Sequence, residues 1–171
     1  MWGRHSYRLS NFDFQANAKE GIAVDWPIRY EDLAPWYSYV EKHAGISGEA
    51  LGLPQLPDSE FLKPMELNCV EKELKNSIAS NYTDRLLTIG RTAHLTEGTK
   101  PGAGRINCQY RNRCMRGCPF GGYFSSLSST LPMAEATGNM TLRPNSIVHE
   151  VMYDADTKRA TGVRVIDRVT K

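Results

Sequence analysis

Apolar side chains recur at steps of three and four between residues 31 and 44, where Leu33, Trp36, Tyr37, Val40 and Ala44 fall on one stripe. The pattern predicts a helix from Glu31 to Ala44, with Gly45 as its C-cap and Pro35 in its first turn, where a missing N–H costs little. Its aromatic residues are expected to pack in a core. Ahead of it, Pro27 disfavours α geometry at Trp26, so residues 25–28 read as extended. A second stripe, Leu67, Val70, Leu74 and Ile78, predicts a helix from Glu66 to about Ser80. Cys69 falls on that stripe and is expected to be a small buried hydrophobe. The first twenty residues behave differently. Trp2, Tyr7, Leu9, Phe12 and Phe14 alternate loosely and carry no helix start signal. They do not read as the polar, frayed opening of a domain, so the chain is expected to be cut from a longer one.

The stretch 45–65 contains Gly45, Gly48, Gly52, Pro54, Pro57 and Pro64 and reads as a long irregular connection. Leu86 to Ile89 reads as a strand, with Arg91 to Thr96 continuing it, and residues 97–105 form a turn-rich linker. Tyr123 to about Thr137 is expected to be helical, with Pro132 starting a second short segment after the serine run. Met140 to Leu142 is strand-like. Ile147 to Tyr153 and Ala160 to Val169, joined by a turn over residues 154–159, read as an antiparallel ribbon.

Composition narrows the class without naming it. The chain has 171 residues, 40% of them apolar and 23% charged, which suits a packed globular chain of about one domain. With 21 Lys and Arg against 19 Asp and Glu, the net charge is +2, so a dedicated nucleic-acid binder is not expected. No window approaches the roughly 18–20 apolar residues of a spanning helix. No charged segment followed by an apolar core marks a signal peptide. His5, His43, His94 and His149 are scattered, with His149 expected on the solvated face of the ribbon, and none is assigned a catalytic role.

The chemistry concentrates at Cys108, Cys114 and Cys118, spaced C-x5-C-x3-C with Pro119 directly after. Three thiols within eleven residues can converge on one centre, and a proline follows the last ligand in bacterial ferredoxin runs too. Lys100, Arg105, Arg111, Arg113 and Arg116 surround them, and no Asp or Glu occurs between Glu97 and Glu135. Cationic neighbours favour the thiolate and offset the charge of a thiolate-held cluster. Spacing alone leaves three readings open. An iron–sulfur cluster is one. Structural zinc is the second, although the run has no x2 pair and a fourth ligand, His94 or Cys69, is not local. A disulfide with a free thiol is the third. No G-x-S-x-G elbow accompanies the serines at 125–129, so hydrolase chemistry is not expected.

Residues 114–123, Cys-Met-Arg-Gly-Cys-Pro-Phe-Gly-Gly-Tyr, resemble the cysteine-and-glycine turn of the glucose–methanol–choline (GMC) family of flavoprotein oxidoreductases. Cys108, Cys114 and Cys118 match the three-cysteine pattern of that family's bacterial sugar-dehydrogenase branch. Residues 25–37 are similar to the family's W-P-I-x-Y-x-D-L-x-P-Y-Y helix entry. Leu131 to Leu142 and Ser146 to Val148 resemble the helix and strand leading to the adenine end of FAD, and Thr161 to Val163 the returning strand.

The resemblance implies an α/β fold: a partial FAD/NAD(P)-binding domain of GMC type with part of a substrate-binding α+β domain. Residues 1–24 would cover the flavin, 25–103 would form the substrate-side region, and 104–171 would return to the flavin domain. It implies FAD, contacted by Met1, Trp2 and Gly3, with neighbours to Arg8, and by the backbone of Val148 at the adenine. It implies a 3Fe-4S cluster on Cys108, Cys114 and Cys118. The whole enzyme would oxidise CH–OH groups of a sugar or other alcohol and pass electrons to an external acceptor, through a small partner subunit or a cytochrome. Members of this branch are often exported, so the resemblance favours the periplasm or cell envelope. The G-x-G-x-x-G fingerprint and the family's catalytic histidine are absent from this sequence, so an internal fragment is expected, with no catalytic residue of its own. The alternative is a stand-alone iron–sulfur or zinc module without flavin.

Overall fold

The computed structural model describes residues 3–98 and 104–171, which hold both helices and a small sheet, a mixed α/β content. Two compact units divide the chain, Met1–Ala136 and Thr137–Lys171.

Three helices longer than two turns shape the first unit, and each begins at a cap that its sequence supplies. α1 (Asn11–Lys19) starts at Ser10, whose N–H and Oγ donate to Asp13 Oδ2 at 2.6 and 2.8 Å. No helix is expected there from the apolar pattern. The start signal is the Ser10-x-x-Asp13 box, which fixes the first turn even where the apolar stripe is thin. α2 (Tyr30–Ala44) agrees with the predicted helix and ends at Gly45, whose φ of 75° is the left-handed cap. Because the helix begins at Tyr30, Pro35 lies in its second turn rather than its first. The expected packing of its aromatics is seen only in part: Tyr37 is half-buried beneath Arg8, but Trp36 is 67% exposed, Tyr39 and Val40 are exposed, and Glu41 and Ala44 are the buried residues. α3 (Cys69–Asn81) starts three residues later than expected, because Asn68 and Glu71 cap each other through their backbone N–H groups at 2.9 and 2.7 Å. Cys69 is exposed at its first turn, not buried, and Val70 and Leu74 on its stripe are exposed too.

The middle of the unit is organised by residues 91–95. Ser6 N–H donates to Arg91 O and Ala93 N–H to Arg4 O on one side, while Leu95 N–H donates to Gly122 O and Phe124 N–H to Ala93 O on the other. Ser47 exchanges backbone bonds with Thr92 at 2.9 and 3.0 Å. These are isolated bridges, not the strand expected over 86–96. His94 N–H folds back onto Thr92 O at 2.8 Å, and that tight turn stops any ladder from running on. The predicted helix over 123–137 is likewise shortened to α4 (Thr130–Ala136). Tyr123 and Phe124 are committed to pairing with 93–95, and the serines form turns before the helix can start.

Few apolar side chains are buried: Phe14, Ala44, Ile46, Ala93, Leu95 and Tyr123, with Phe61 and Phe124 packed against the Ala44, Ile46 and Ala93 cluster. Buried charge supplements them. Arg8 reaches Glu41 at 2.7 Å, Tyr30 at 2.7 Å and Ser38 at 2.9 Å. Arg91 holds the irregular 49–58 connection through Pro57 O at 2.7 Å and Asp58 Oδ1 at 2.5 Å. Gly48 passes so close that a Cβ would meet Arg91 Cγ at 2.9 Å, so a side chain there would push the guanidinium off its partners.

The second unit is the expected ribbon. β1 (Ser146–Asp154) and β2 (Arg159–Asp167) pair antiparallel, and the turn is closed by Asp154 Oδ1, which accepts from Asp156 N–H at 2.9 Å. The second strand ends two residues short of Val169, and Met140 to Leu142 forms no strand. Val148 faces Val165, and Glu150 faces Arg164, so His149 is the extra residue of a bulge. Among the described residues, no helix is long and apolar enough to cross a membrane.

Two outcomes follow for stability. Leu95 is 0% exposed, so Leu95→Ala should cost roughly 2–5 kcal/mol in urea unfolding, while Val70→Ala on exposed α3 should change little. Asp58 is partly desolvated, which by itself would raise its pKa, but the N–H groups of Leu51 and Gly52 and the Arg91 guanidinium hold it below the usual carboxylate value. The stability it contributes is therefore complete above its unfolded pKa, about 3.9, and is lost as pH falls through the depressed folded value. Asp58→Asn should flatten that acid limb in pH-dependent unfolding.

Candidate metal and electron-transfer site

The cysteines share one loop, closed at its neck by the backbone. Ile106 N–H donates to Phe120 O at 3.0 Å, and Cys108 N–H donates to Leu95 O at 2.7 Å. Leu95 in turn donates to Gly122 O at 2.8 Å, so residues 91–95 carry both ends of the loop. Arg105, 1% exposed, clamps it from beneath. Its guanidinium donates to Gly121 O at 2.9 Å and to Ala44 O at the C-terminal end of α2 at 2.9 Å, and it lies 5.3 Å from the Phe124 ring centre. Gly122 is required by close approach: a Cβ would stand 3.0 Å from Ile106 O and 3.2 Å from Cys108 N.

Within the loop, each sulfur sits in a different field. Cys108 Sγ accepts the Tyr110 N–H at 3.3 Å, and Tyr110 takes a left-handed backbone (φ 53°). Burial alone would raise the Cys118 thiol, but the backbone N–H groups of Tyr123, Phe120, Gly122 and Gly121 outweigh it and pull its pKa below the ordinary value. Cys114, at the start of the single 3-10 turn Cys114–Arg116, goes the other way. Burial and the neighbouring Cys108 and Cys118 raise its pKa, against a smaller opposite effect from its own N–H and from Arg4. The Cys114 thiol thus senses both others, and the Arg4 guanidinium stacks 4.1 Å over the Tyr123 ring beside the turn.

None of the four cysteines is in a disulfide. Among the described residues, no three His, Cys, Asp or Glu side chains gather closely enough to hold one metal ion. What the loop offers is three partly buried thiols with N–H donors aimed at sulfur and no carboxylate nearby in the sequence. Thiolates with main-chain N–H donors at sulfur are the donor type that holds an iron–sulfur centre.

Gly3 lies beside this turn: a Cβ on it would stand 3.9 Å from the Tyr123 hydroxyl, and both Gly3 and Arg4 take left-handed φ (61° and 54°). Met1, Trp2 and Lys100 lie outside the described residues. Arg8, close to the same segment, is bound to Glu41. Val148 belongs to the ribbon of the second unit, where it is 56% exposed next to the bulge. A largely apolar groove of about 680 Å³ runs along Arg4, His5 and Tyr7 and is backed by Val40 and Phe124. Its volume is that of a small-molecule or cofactor site.

His94, which the sequence offers only as a non-local fourth ligand for zinc, is buried beside the glycine turn. Its ring packs against Tyr123 at 5.4 Å, burial lowers its pKa, and its Nε2 is buried with no hydrogen-bond partner among the described residues. Only the adjacency of 93–95 and 122–124 places it there, and no local pattern announces that pairing.

No family model matches the chain. It is 24% identical over 166 residues to a fructose dehydrogenase large subunit from Gluconobacter japonicus, covering 97% of this chain and 30% of that protein. It is 27% identical over 172 residues to a 2-methyl-1,2-propanediol dehydrogenase from Mycolicibacterium austroafricanum, covering 97% of this chain and 29% of that protein. The chain thus spans about a third of the length of these relatives, both named as dehydrogenases.

The opposed fields on the thiols have a direct readout. In metal-free reduced protein carrying Cys69→Ser, iodoacetamide near neutral pH should modify Cys118 before Cys114, because the thiolate is the nucleophile. Peptide mapping by mass spectrometry gives the order.

Proposed function

We propose that these residues form part of an FAD-dependent oxidoreductase of the GMC type, a dehydrogenase acting on CH–OH groups of a sugar or other alcohol. Cys108, Cys114 and Cys118 would hold its 3Fe-4S cluster. The observation that carries the reading is the cysteine loop itself, with three thiols, main-chain donors to sulfur and no carboxylate, in a chain related along 97% of its length to two dehydrogenases. When bound, the flavin supplies hydride acceptance from the carbinol carbon and the cluster supplies single-electron relay.

The chain's own residues would do the holding. The N–H groups of residues 120–123 would stabilise the Cys118 thiolate, and Tyr110 N–H that of Cys108, which favours ligation over protonation. Arg105 would fix the turn against α2 and add a buried positive charge beneath a negatively charged centre. Burial presses its pKa down, the mark of a cation without a counter-ion among the described residues. Met1, Trp2 and Gly3 would lie against the flavin and exclude water from it. Val148, next to a bulge, would offer main-chain groups to the adenine.

The test is an electron paramagnetic resonance spectrum of the as-isolated full-length protein, with a flavin absorbance spectrum beside it. An oxidised three-iron signal with bound flavin is expected. Cys114→Ser should remove the signal and leave the flavin. Flavin without iron or acid-labile sulfide in anaerobic protein would sink the cluster assignment. Zinc at the cysteines with no flavin would replace the whole reading by that of a metal module.

A further inference from the structure

Among the described residues, Arg4, Arg8, Arg29, Arg91 and Arg105 are the arginines that the fold buries wholly or in part. A guanidinium drawn out of water needs acceptors. Arg8 finds Glu41, Arg29 finds Asp25, Arg91 finds Asp58, and Arg105 finds the carbonyls of Gly121 and Ala44. Arg4 differs from them. Among the described residues its guanidinium has neither an ion pair nor a hydrogen-bond acceptor. The groove that Arg4 lines holds one carboxylate, Glu41, and Arg8 already occupies it at 2.7 Å.

Backbone and ring nonetheless hold Arg4 in place. Its φ of 54° is left-handed, uncommon for a residue with a side chain, and its carbonyl accepts from Ala93 N–H and Ser6 Oγ, both at 3.1 Å. Its guanidinium lies 4.1 Å from the centre of the Tyr123 ring, nearer than any other cation–ring contact among the described residues. Tyr123 is 6% exposed and directly follows Gly122, which is packed against the backbone of Cys108. The stack therefore fixes a positive charge beside the cysteine turn, and that charge opposes the rise in the Cys114 pKa. The cations that the sequence sets around the cysteines are placed differently. Arg111, Arg113 and Arg116 are exposed, where water and salt screen them, and Arg105 is turned onto carbonyls.

We propose that Arg4 is the counter-cation of the cysteine centre: its guanidinium, pinned on Tyr123, supplies the positive field at Cys114 and raises the reduction potential of a cluster held there. The field belongs to this unit alone, whereas the effect on potential rests on the cluster assignment made above. A cluster that takes one electron gains one negative charge, so a fixed cation nearby favours its reduced form. The acceptor that Arg4 lacks among side chains is then the negative charge of the thiolates and what they bind.

The test compares the full-length parent with Arg4→Met, Arg4→Lys and Arg113→Met, each checked for folding by far-ultraviolet circular dichroism. The first readout needs no cluster. Metal-free reduced protein is treated at one pH with iodoacetate, which is anionic, and with iodoacetamide, which is neutral, and peptide mapping gives the ratio of the two rates at Cys114. The thiolate fraction cancels in that ratio, which leaves the local field. Arg4→Met should lower the ratio by roughly threefold or more. Arg4→Lys, which keeps the charge, and Arg113→Met, which removes an exposed one, should stay near the parent value. The second readout is a redox titration followed by electron paramagnetic resonance. Arg4→Met should move the three-iron midpoint to lower potential, and Arg4→Lys should restore it. An unchanged ratio in Arg4→Met, or an equal fall in Arg4→Lys or Arg113→Met, would overturn the assignment of the field to this cation. A lowered ratio with an unmoved midpoint would overturn the effect on potential. A lowered ratio in a protein whose parent shows no three-iron signal would uphold the field and defeat the cluster assignment, and the effect on potential with it.

Discussion

Five residues, Arg91 to Leu95, make the hydrogen bonds on which the first unit depends. Their N–H and C=O groups reach the opening segment at Arg4 and Ser6, the irregular connection at Ser47, the glycine turn at Gly122 and Phe124, and the neck of the cysteine loop at Cys108. Buried main-chain groups have to be paired, and here one short segment satisfies partners from four distant stretches. The tight turn at His94 lets the segment do this, because it points consecutive residues at different neighbours. Without it, Gly3 and Arg4 would have no reason to lie beside Tyr123, and the two ends of the cysteine loop would not meet.

Around that segment, arginine performs work that a larger apolar core does elsewhere. Arg8, Arg91 and Arg105 are buried, and each joins elements far apart in sequence. Two have carboxylate partners. Arg105 has only carbonyl and hydroxyl acceptors among the described residues, one of them the last carbonyl of α2, where the helix dipole is negative. A buried ion pair adds little net stability beyond an apolar equivalent, but removing one partner is costly. The arrangement therefore specifies which loops meet more than it strengthens the whole. The positively charged underside it gives the cysteine turn is a by-product that the proposed chemistry would use.

Legibility in the sequence followed the range of the forces involved. α2 and the ribbon were readable because a stripe, a glycine cap and an Asp-rich turn are local signals. α1 was readable too, from Ser10 and Asp13, but an apolar criterion passes over a helix with a thin stripe. The misreadings came from long-range pairing. Residues 91–95 and Phe124 lay in strand and helix patterns, yet tertiary hydrogen bonds took their backbone groups first, and the serines after Phe124 closed local turns. The faces of α2 and α3 were misjudged for a related reason, since Trp36, Val70 and Cys69 carry apolar side chains that this unit does not cover. The cysteines were visible from spacing. Their unequal electrostatics were not, because these come from the folded glycine turn and from burial of the loop.

The turn after Cys118 binds its sulfur with main-chain groups, and this shapes how the site could vary over evolutionary time. Side chains at Phe120 and Tyr123 could be exchanged and the N–H groups would remain where they are. Gly121 and Gly122 have no such freedom, since Arg105 and the Ile106–Cys108 backbone already fill the space a Cβ would need. Two lineages could thus diverge almost completely in the residues around the cysteines while keeping the same electrostatic grip on them.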